Sequence, residues 1–170
     1  MTRPPGFALP LATLAFVLSQ GYLLFQFHRL RPNILVLQLA FDAERYWAIL
    51  GAWGATGLQA YRDHFSWDFV HLGIYSVFGF LMATRSGLFA PSEGQAARRA
   101  AWMLPWAAAF DVAENLLQLH LLAGPFGASS PAIPLSALCS AIKWGLATVF
   151  ALLIGWRVVR KSAGIGPASR

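Results

Sequence analysis

Asp111, Glu114 and Gln118 stand at i, i+3 and i+7 in the stretch AAFDVAENLLQLH, so on a helix they share one face, with Asn115 at its edge. Carboxylates grouped in this way suit general acid–base work, a proton relay or the holding of a cation. His64, Asp68, His71 and Tyr75 make a second polar stripe at i, i+4, i+7 and i+11, and Ser136, Ser140 and Lys143 make a third. Three helices that each present one polar stripe are expected to turn those stripes toward each other. The predicted polar centre is therefore Asp68, Asp111, Glu114, Asn115, Gln118 and Lys143. Lys143 is placed to pair with Glu114 or Asp111, which leaves at least one acid without a fixed cation. That acid could be protonated, pair with an imidazolium from His71 or His120, or hold a metal or a cationic substrate.

Asp111, Glu114 and Lys143 are the catalytic candidates, the acids for proton transfer and the lysine for electrostatic stabilisation. His64, Asp68 and His71, completed by Glu114 or His120, have ligand types that suit zinc or iron. An interfacial His64 and a core His71 bonded to Asp68 account for the same residues, and no metal is expected. Haem held by His71 and His120 would need ligands at one depth, and these lie roughly two turns apart. Cofactors stay unassigned. Cys139 is alone in an apolar run, where a small buried hydrophobe is its ordinary role. The chain has no Ser-His-Asp set, Gly-rich phosphate loop or H-E-x-x-H pattern.

The elements that must position these residues are written in hydrocarbon. Of 170 residues, 57% are hydrophobic and 12% charged, about half the charged share of soluble domains. Four apolar segments, residues 7–27, 65–84, 101–123 and 135–156, each reach the roughly 20 residues a spanning helix needs. The first lacks a small-x-small cleavage pattern and is expected to be retained as a helix. Pro105 is placed in the first turn of the third, where proline is cheapest. Residues 28–64 form a connection in which 35–41 is too short to span. Asp42 there is the expected N-cap of an amphipathic helix, AERYWAILGAW, with Gly51, Gly54 and Gly57 as points where it can break. The tryptophans are expected as interface anchors, and Ala137, Ala141 and Gly145 as a small-residue packing face of the fourth helix. Residues 161–170 are expected to be a disordered tail.

The predicted fold is all-α: a four-helix transmembrane bundle in a single integral membrane domain, 1–170, with an amphipathic segment between the first two spans. The 13 Lys and Arg exceed the 7 Asp and Glu, and they flank apolar runs, which argues for topology signals and against nucleic acid. Arg3, Arg85, Arg98, Arg99, Arg157, Arg160, Lys161 and Arg170 fall on one side, and Arg29, Arg31, Arg45 and Arg62 on the other. The positive-inside rule then places both termini in the cytoplasm and residues 28–64 outside. An ionisable residue at a spanning-helix centre costs about 2.5–3.5 kcal/mol. Interhelical polar contacts return only about 0.6 kcal/mol on average. Function and helix register are therefore both open purposes for the polar centre, which is expected to open toward the outer face.

The runs FDAERYWAILGAWGATGLQAYRDHFSWDFVHLGIYSVFGFL, FDVAENLL and IKW, in that order, resemble an uncharacterised bacterial family of small four-span integral membrane proteins. The resembling positions are Glu44, Tyr61, Asp68, Tyr75, the D-x-x-E-N set Asp111, Glu114 and Asn115, and the late pair Lys143 and Trp144. The chain departs from the pattern at Ala55-Thr56-Gly57-Leu58, where Glu-Gly-Arg is usual. It departs again at His71 and Leu72, in place of an aromatic residue and a proline. The resemblance implies the fold and the position of the site, stresses the acid, amide and lysine cluster over His71, and brings no activity.

Three function classes follow. The first is a non-catalytic accessory or lipid-binding protein of the bacterial inner membrane, whose partners are the bilayer, a lipid or another membrane protein. The second is a membrane-embedded enzyme acting on a lipid or isoprenoid head group. The third is a small proton- or ion-coupled carrier, for which no repeat is visible in the sequence.

Overall fold

The computed structural model describes residues 6–163, and every described element is helical. The helices are α1 (Ala8–Phe27), α2 (Ile34–Gln38), α3 (Ala43–Arg85), α4 (Gly94–Ala123) and α5 (Ala132–Ser162), with a 3₁₀ turn at Pro91–Glu93 leading into α4. α1, α3 and α5 are long and apolar enough to cross a membrane, with mean hydropathies of 1.6, 1.2 and 1.9. α4 has the length, 30 residues, but Asp111, Glu114, Asn115 and Gln118 dilute its apolar character. Three of the four expected segments thus have both properties.

Packing follows chain order. α1 lies on α3, α3 on α4 and α4 on α5, whereas α1 and α5 do not form a packed pair among the described residues. Small residues bring α3 and α4 together: Ala100, Ala101, Ala107 and Ala108 are buried. At Gly79 a Cβ would come within 2.6 Å of Leu104. Large apolar side chains cover the outside, and a set of polar side chains is buried between two apolar clusters. Leu11, Leu18 and Phe25 on α1, Trp102 and Trp106 on α4, and Leu152 and Val159 on α5 are all exposed, while Glu114, Gln118 and Ser140 are buried.

One end is closed by a cap. Asn33 starts α2 by accepting the Val36 N–H at 3.2 Å, and Asp42 starts α3 by accepting the Arg45 N–H at 2.7 Å, as its position before AERYW predicts. Gly54 breaks α3 with φ 62° and ψ −172°, a conformation open essentially to glycine alone. Residues 43–53 lie before that break, so the segment after it starts about ten residues ahead of the expected 65. Tyr46, Ile49, Leu50 and Trp53 bury themselves on Leu30, Leu37, Tyr61 and Ile133. Trp47 Nε1 donates to the Ala128 carbonyl at 2.8 Å and Trp53 Nε1 to the Pro32 carbonyl at 2.6 Å. These two buried indoles tie the cap together, whereas Trp102, Trp106 and Trp156 are exposed.

Other expectations are corrected. Pro105 lies inside α4, which begins at Gly94, because backbone hydrogen bonding starts the helix before its apolar stretch does. The small-residue face of α5 is not a packing face. Ala137 is buried, but Ala141 and Gly145 are exposed, since the face of α5 that meets α4 carries Ser136, Ser140 and Lys143. Lys161 and Ser162 continue α5, where Arg160 and Lys161 complement the negative end of the helix. The rest of the expected tail, 164–170, and Arg3 and Arg170 of the charge count lie outside the described residues.

Candidate functional site

The i, i+3, i+7 spacing on α4 does what it predicts: Asp111, Glu114 and Gln118 are buried on one face with Asn115 beside them. α5 supplies Lys143 about 16 Å from its start, eleven residues at 1.5 Å each. Lys143 pairs with both acids. Its Nζ donates to Asp111 Oδ1 at 2.5 Å and lies 2.7 Å from Glu114 Oε2, a contact of charge without an aligned hydrogen bond at that oxygen. Tyr75 on α3 donates its hydroxyl to Asp111 Oδ2 at 3.1 Å. Asn115 Nδ2 donates to Asp68 Oδ2 at 2.6 Å.

Gln118 points toward the cap. Its Oε1 accepts from the Tyr46 hydroxyl at 2.6 Å and its Nε2 donates to Ser136 Oγ at 2.7 Å. Ser140 in turn donates to the Ser136 carbonyl at 3.1 Å. Tyr46, Tyr61 and Gln118 are each at most 2% exposed. At the cap end, then, the polar stripe is covered by the packed aromatics of residues 43–53, where an opening was expected.

The centre meets its surroundings elsewhere, through a cleft of about 600 Å³. α3 and α4 form its floor, and α1 and α5 form the two walls that do not close on each other. α2 stands at its cap end, where Trp144 Nε1 donates to Gln38 Oε1 at 3.0 Å. Polar groups gather toward that end: Gln38, His64, Asp68, His71, Asp111 and Lys143. The rest of the lining is mostly apolar, with Phe16, Phe78, Met82, Leu104, Ala151 and Ile154, and also carries Gln20, Tyr75 and Thr148. From Lys143 to Ile154 it runs about 16 Å along α5, eleven residues at 1.5 Å each. Asp68 is half-buried on this lining, with Asn115 as its bonded neighbour and no cationic side chain within 4.0 Å among the described residues.

The metal candidates are not brought together. Among the described residues no three His, Cys, Asp or Glu side chains converge as a metal site. His71 Nδ1 shares a 2.8 Å hydrogen bond with Ser19 Oγ of α1 and not with Asp68. His64 bonds the Tyr61 carbonyl, and His120 is exposed. His71 and His120 do not face one another across a haem-sized gap, since His71 is buried against α1 and His120 is at the surface. The Ser19–His71, Tyr46–Gln118 and Trp144–Gln38 pairs are not foreseen from residue spacing. His71 and Gln118 belong to polar stripes that spacing shows, but their partners Ser19 and Tyr46, and the pair Trp144 and Gln38, lie in otherwise apolar runs, so only the fold shows the contacts.

At the end opposite the cap, Arg157 grips Glu93 with Nη1 at 2.6 and 2.7 Å from the two carboxylate oxygens. Glu93 also accepts the Ala90 N–H at 3.0 Å. The guanidinium first, and then this N–H, hold the Glu93 carboxyl below its usual 4.5. Compared with protein-family models, with curated proteins and with solved structures, the chain matches none.

Proposed function

We propose that this chain is a non-catalytic, lipid-binding protein of the bacterial inner membrane. In this proposal it crosses the bilayer four times, through α1, the part of α3 after Gly54, α4 and α5. The cap lies outside and both termini in the cytoplasm. Two observations support the topology. Arg85, Arg98, Arg99, Arg157, Arg160 and Lys161 share the end opposite the cap, and that end holds Glu93 as its counter-charge. The polar face of α4 is turned inward onto Lys143, which frees its other face for lipid.

The observation that carries the function is Asp68, an acid without a cation among the described residues, at the polar end of a cleft whose remainder is mostly apolar. The cleft has a volume typical of small-molecule sites. It is shaped for an amphiphile: an apolar tail along Phe78, Met82 and Ile154, and a head at Asp68 and Asp111. Asp68 and Asp111 line that end, and the one ammonium there, Lys143, is shared with Glu114 behind the lining, so the complementary head is a donor, an alkylammonium group before any other. A buried carboxylate in hydrocarbon gains most from a partner that brings both charge and N–H donors.

The enzyme alternative would use Glu114 or Asp111 as acid–base. Both are already engaged by Lys143, and Glu114 does not line the cleft. A carrier would use a broken helix at its site. The break at Gly54 lies in the cap instead.

The test uses purified protein in a neutral maltoside, with dodecylamine, dodecanol or dodecanoate added at equal mole fraction. A ligand that binds only the folded state raises the unfolding midpoint. The amine is expected to raise it most, and Asp68→Asn to remove the advantage. Equal shifts from amine and alcohol would discard the ammonium head. No shift from any of the three would discard the amphiphile.

A further inference from the structure

A second groove, of about 580 Å³, lies on a different face of α4, between it and α5. Arg98 and Arg99 stand at its mouth, followed by Trp102, Met103, Trp106 and Phe110 down α4. The far side is Ile142 and Leu146 of α5. We infer that this groove is a binding site for an anionic phospholipid of the cytoplasmic leaflet, with its phosphodiester on Arg98 and Arg99 and an acyl chain along the Trp102–Phe110 row. The inference rests on the membrane placement proposed above and is independent of the Asp68 cleft.

Charge supports the head-group assignment. Both arginines are exposed, and neither has a carboxylate within 4.0 Å among the described residues. Glu93, the acid nearest in sequence, is held by Arg157. Guanidinium groups match phosphate oxygens in pairs of parallel hydrogen bonds, and two adjacent ones hold a head group more specifically than scattered lysines would. Basic pockets between spanning helices on the cytoplasmic side are suited to anionic lipid.

Length supports the tail assignment. Arg98 to Phe110 is twelve residues, about 18 Å along the helix. One leaflet of hydrocarbon is about 15 Å, half of the roughly 30 Å core. The arginines therefore sit at head-group level when Trp106 and Phe110 lie within the leaflet. Trp102 and Trp106 are 53% and 60% exposed, and their indole N–H groups are unused by the described chain, in contrast to those of Trp47, Trp53 and Trp144. Those donors are free for glycerol and ester oxygens.

The experiment is native mass spectrometry of the full chain from neutral maltoside containing phosphatidylglycerol and phosphatidylcholine at equal mole fraction. Wild type is expected to retain phosphatidylglycerol in about tenfold preference. Arg98→Gln/Arg99→Gln is expected to bring the two lipids level, while Arg160→Gln/Lys161→Gln keeps the preference. Arg98→Gln alone is expected to reduce it to about threefold, which provides a second variant should the double one not fold. Glycerol phosphate in excess is expected not to displace the lipid. A preference that survives loss of both arginines, or that Arg160→Gln/Lys161→Gln removes instead, overturns the assignment. So does displacement by glycerol phosphate, which would make this a phosphate site with no lipid in it.

Discussion

Lys143 Nζ lies 2.5 Å from Asp111 Oδ1, and the same nitrogen lies 2.7 Å from Glu114. One ammonium on α5 thus holds two acids of α4, and its loss would strand both.

Lys143→Met is therefore expected to destabilise the protein more than Asp111→Asn or Glu114→Gln does. Breaking a buried ion pair from one side costs about 3–5 kcal/mol, because the remaining charge is left without compensation. Unfolding midpoints of the three variants in one detergent check the order. If Lys143→Met proved the mildest, the ion triad could not be what holds α4 on α5.

The close approach of α3 and α4 gives a second expectation. Gly79→Ala places a Cβ 2.6 Å from Leu104, so something must shift, at about 1–3 kcal/mol for overpacking. Leu104→Ala in the same chain should recover part of the loss. The double-mutant cycle reads the coupling directly.

Tyr46 carries a third. Tyr46→Phe keeps the ring and removes the donor to Gln118 Oε1, leaving a buried acceptor unsatisfied at about 1–3 kcal/mol. The measurement is amide exchange. Residues 43–53 should exchange faster, and the Lys143 region should be little changed.

Acid sensitivity at the end opposite the cap gives a fourth. Arg157 holds the Glu93 carboxyl below its usual 4.5, so the pair contributes its stabilisation fully above that value. The contribution fades as pH falls through the lowered value of the folded state. Glu93→Gln should lower stability near neutral pH and flatten the acid-side decline. Thermal midpoints from pH 7 downward measure both effects, and parallel curves for the two proteins would remove the link from Glu93.

Much of the centre was legible because helical spacing is a strong signal when polar residues interrupt an apolar run. Asp111, Glu114 and Gln118 had to share a face, and Lys143 had to find an acid. That it takes two is a matter of how closely α4 and α5 approach, which spacing does not report. His71 went to Ser19 instead of Asp68 because α1 lies on that side of α3, and the order of packing is a property of the whole chain. The cap was legible as an amphipathic helix started by Asp42. Its role in covering the Gln118 end was not, since Tyr46 and Trp47 look the same in sequence whether they face a bilayer interface or a helix bundle.

α1 and α5, which form no packed pair among the described residues, leave the cleft between them open along its length and not at the capped end. A guest in such a slot would arrive by diffusing in the plane of the bilayer, never crossing water. Its occupancy would then follow the composition of the surrounding lipid as a mole fraction, and adding more of the same molecule to the aqueous phase would matter only through what partitions.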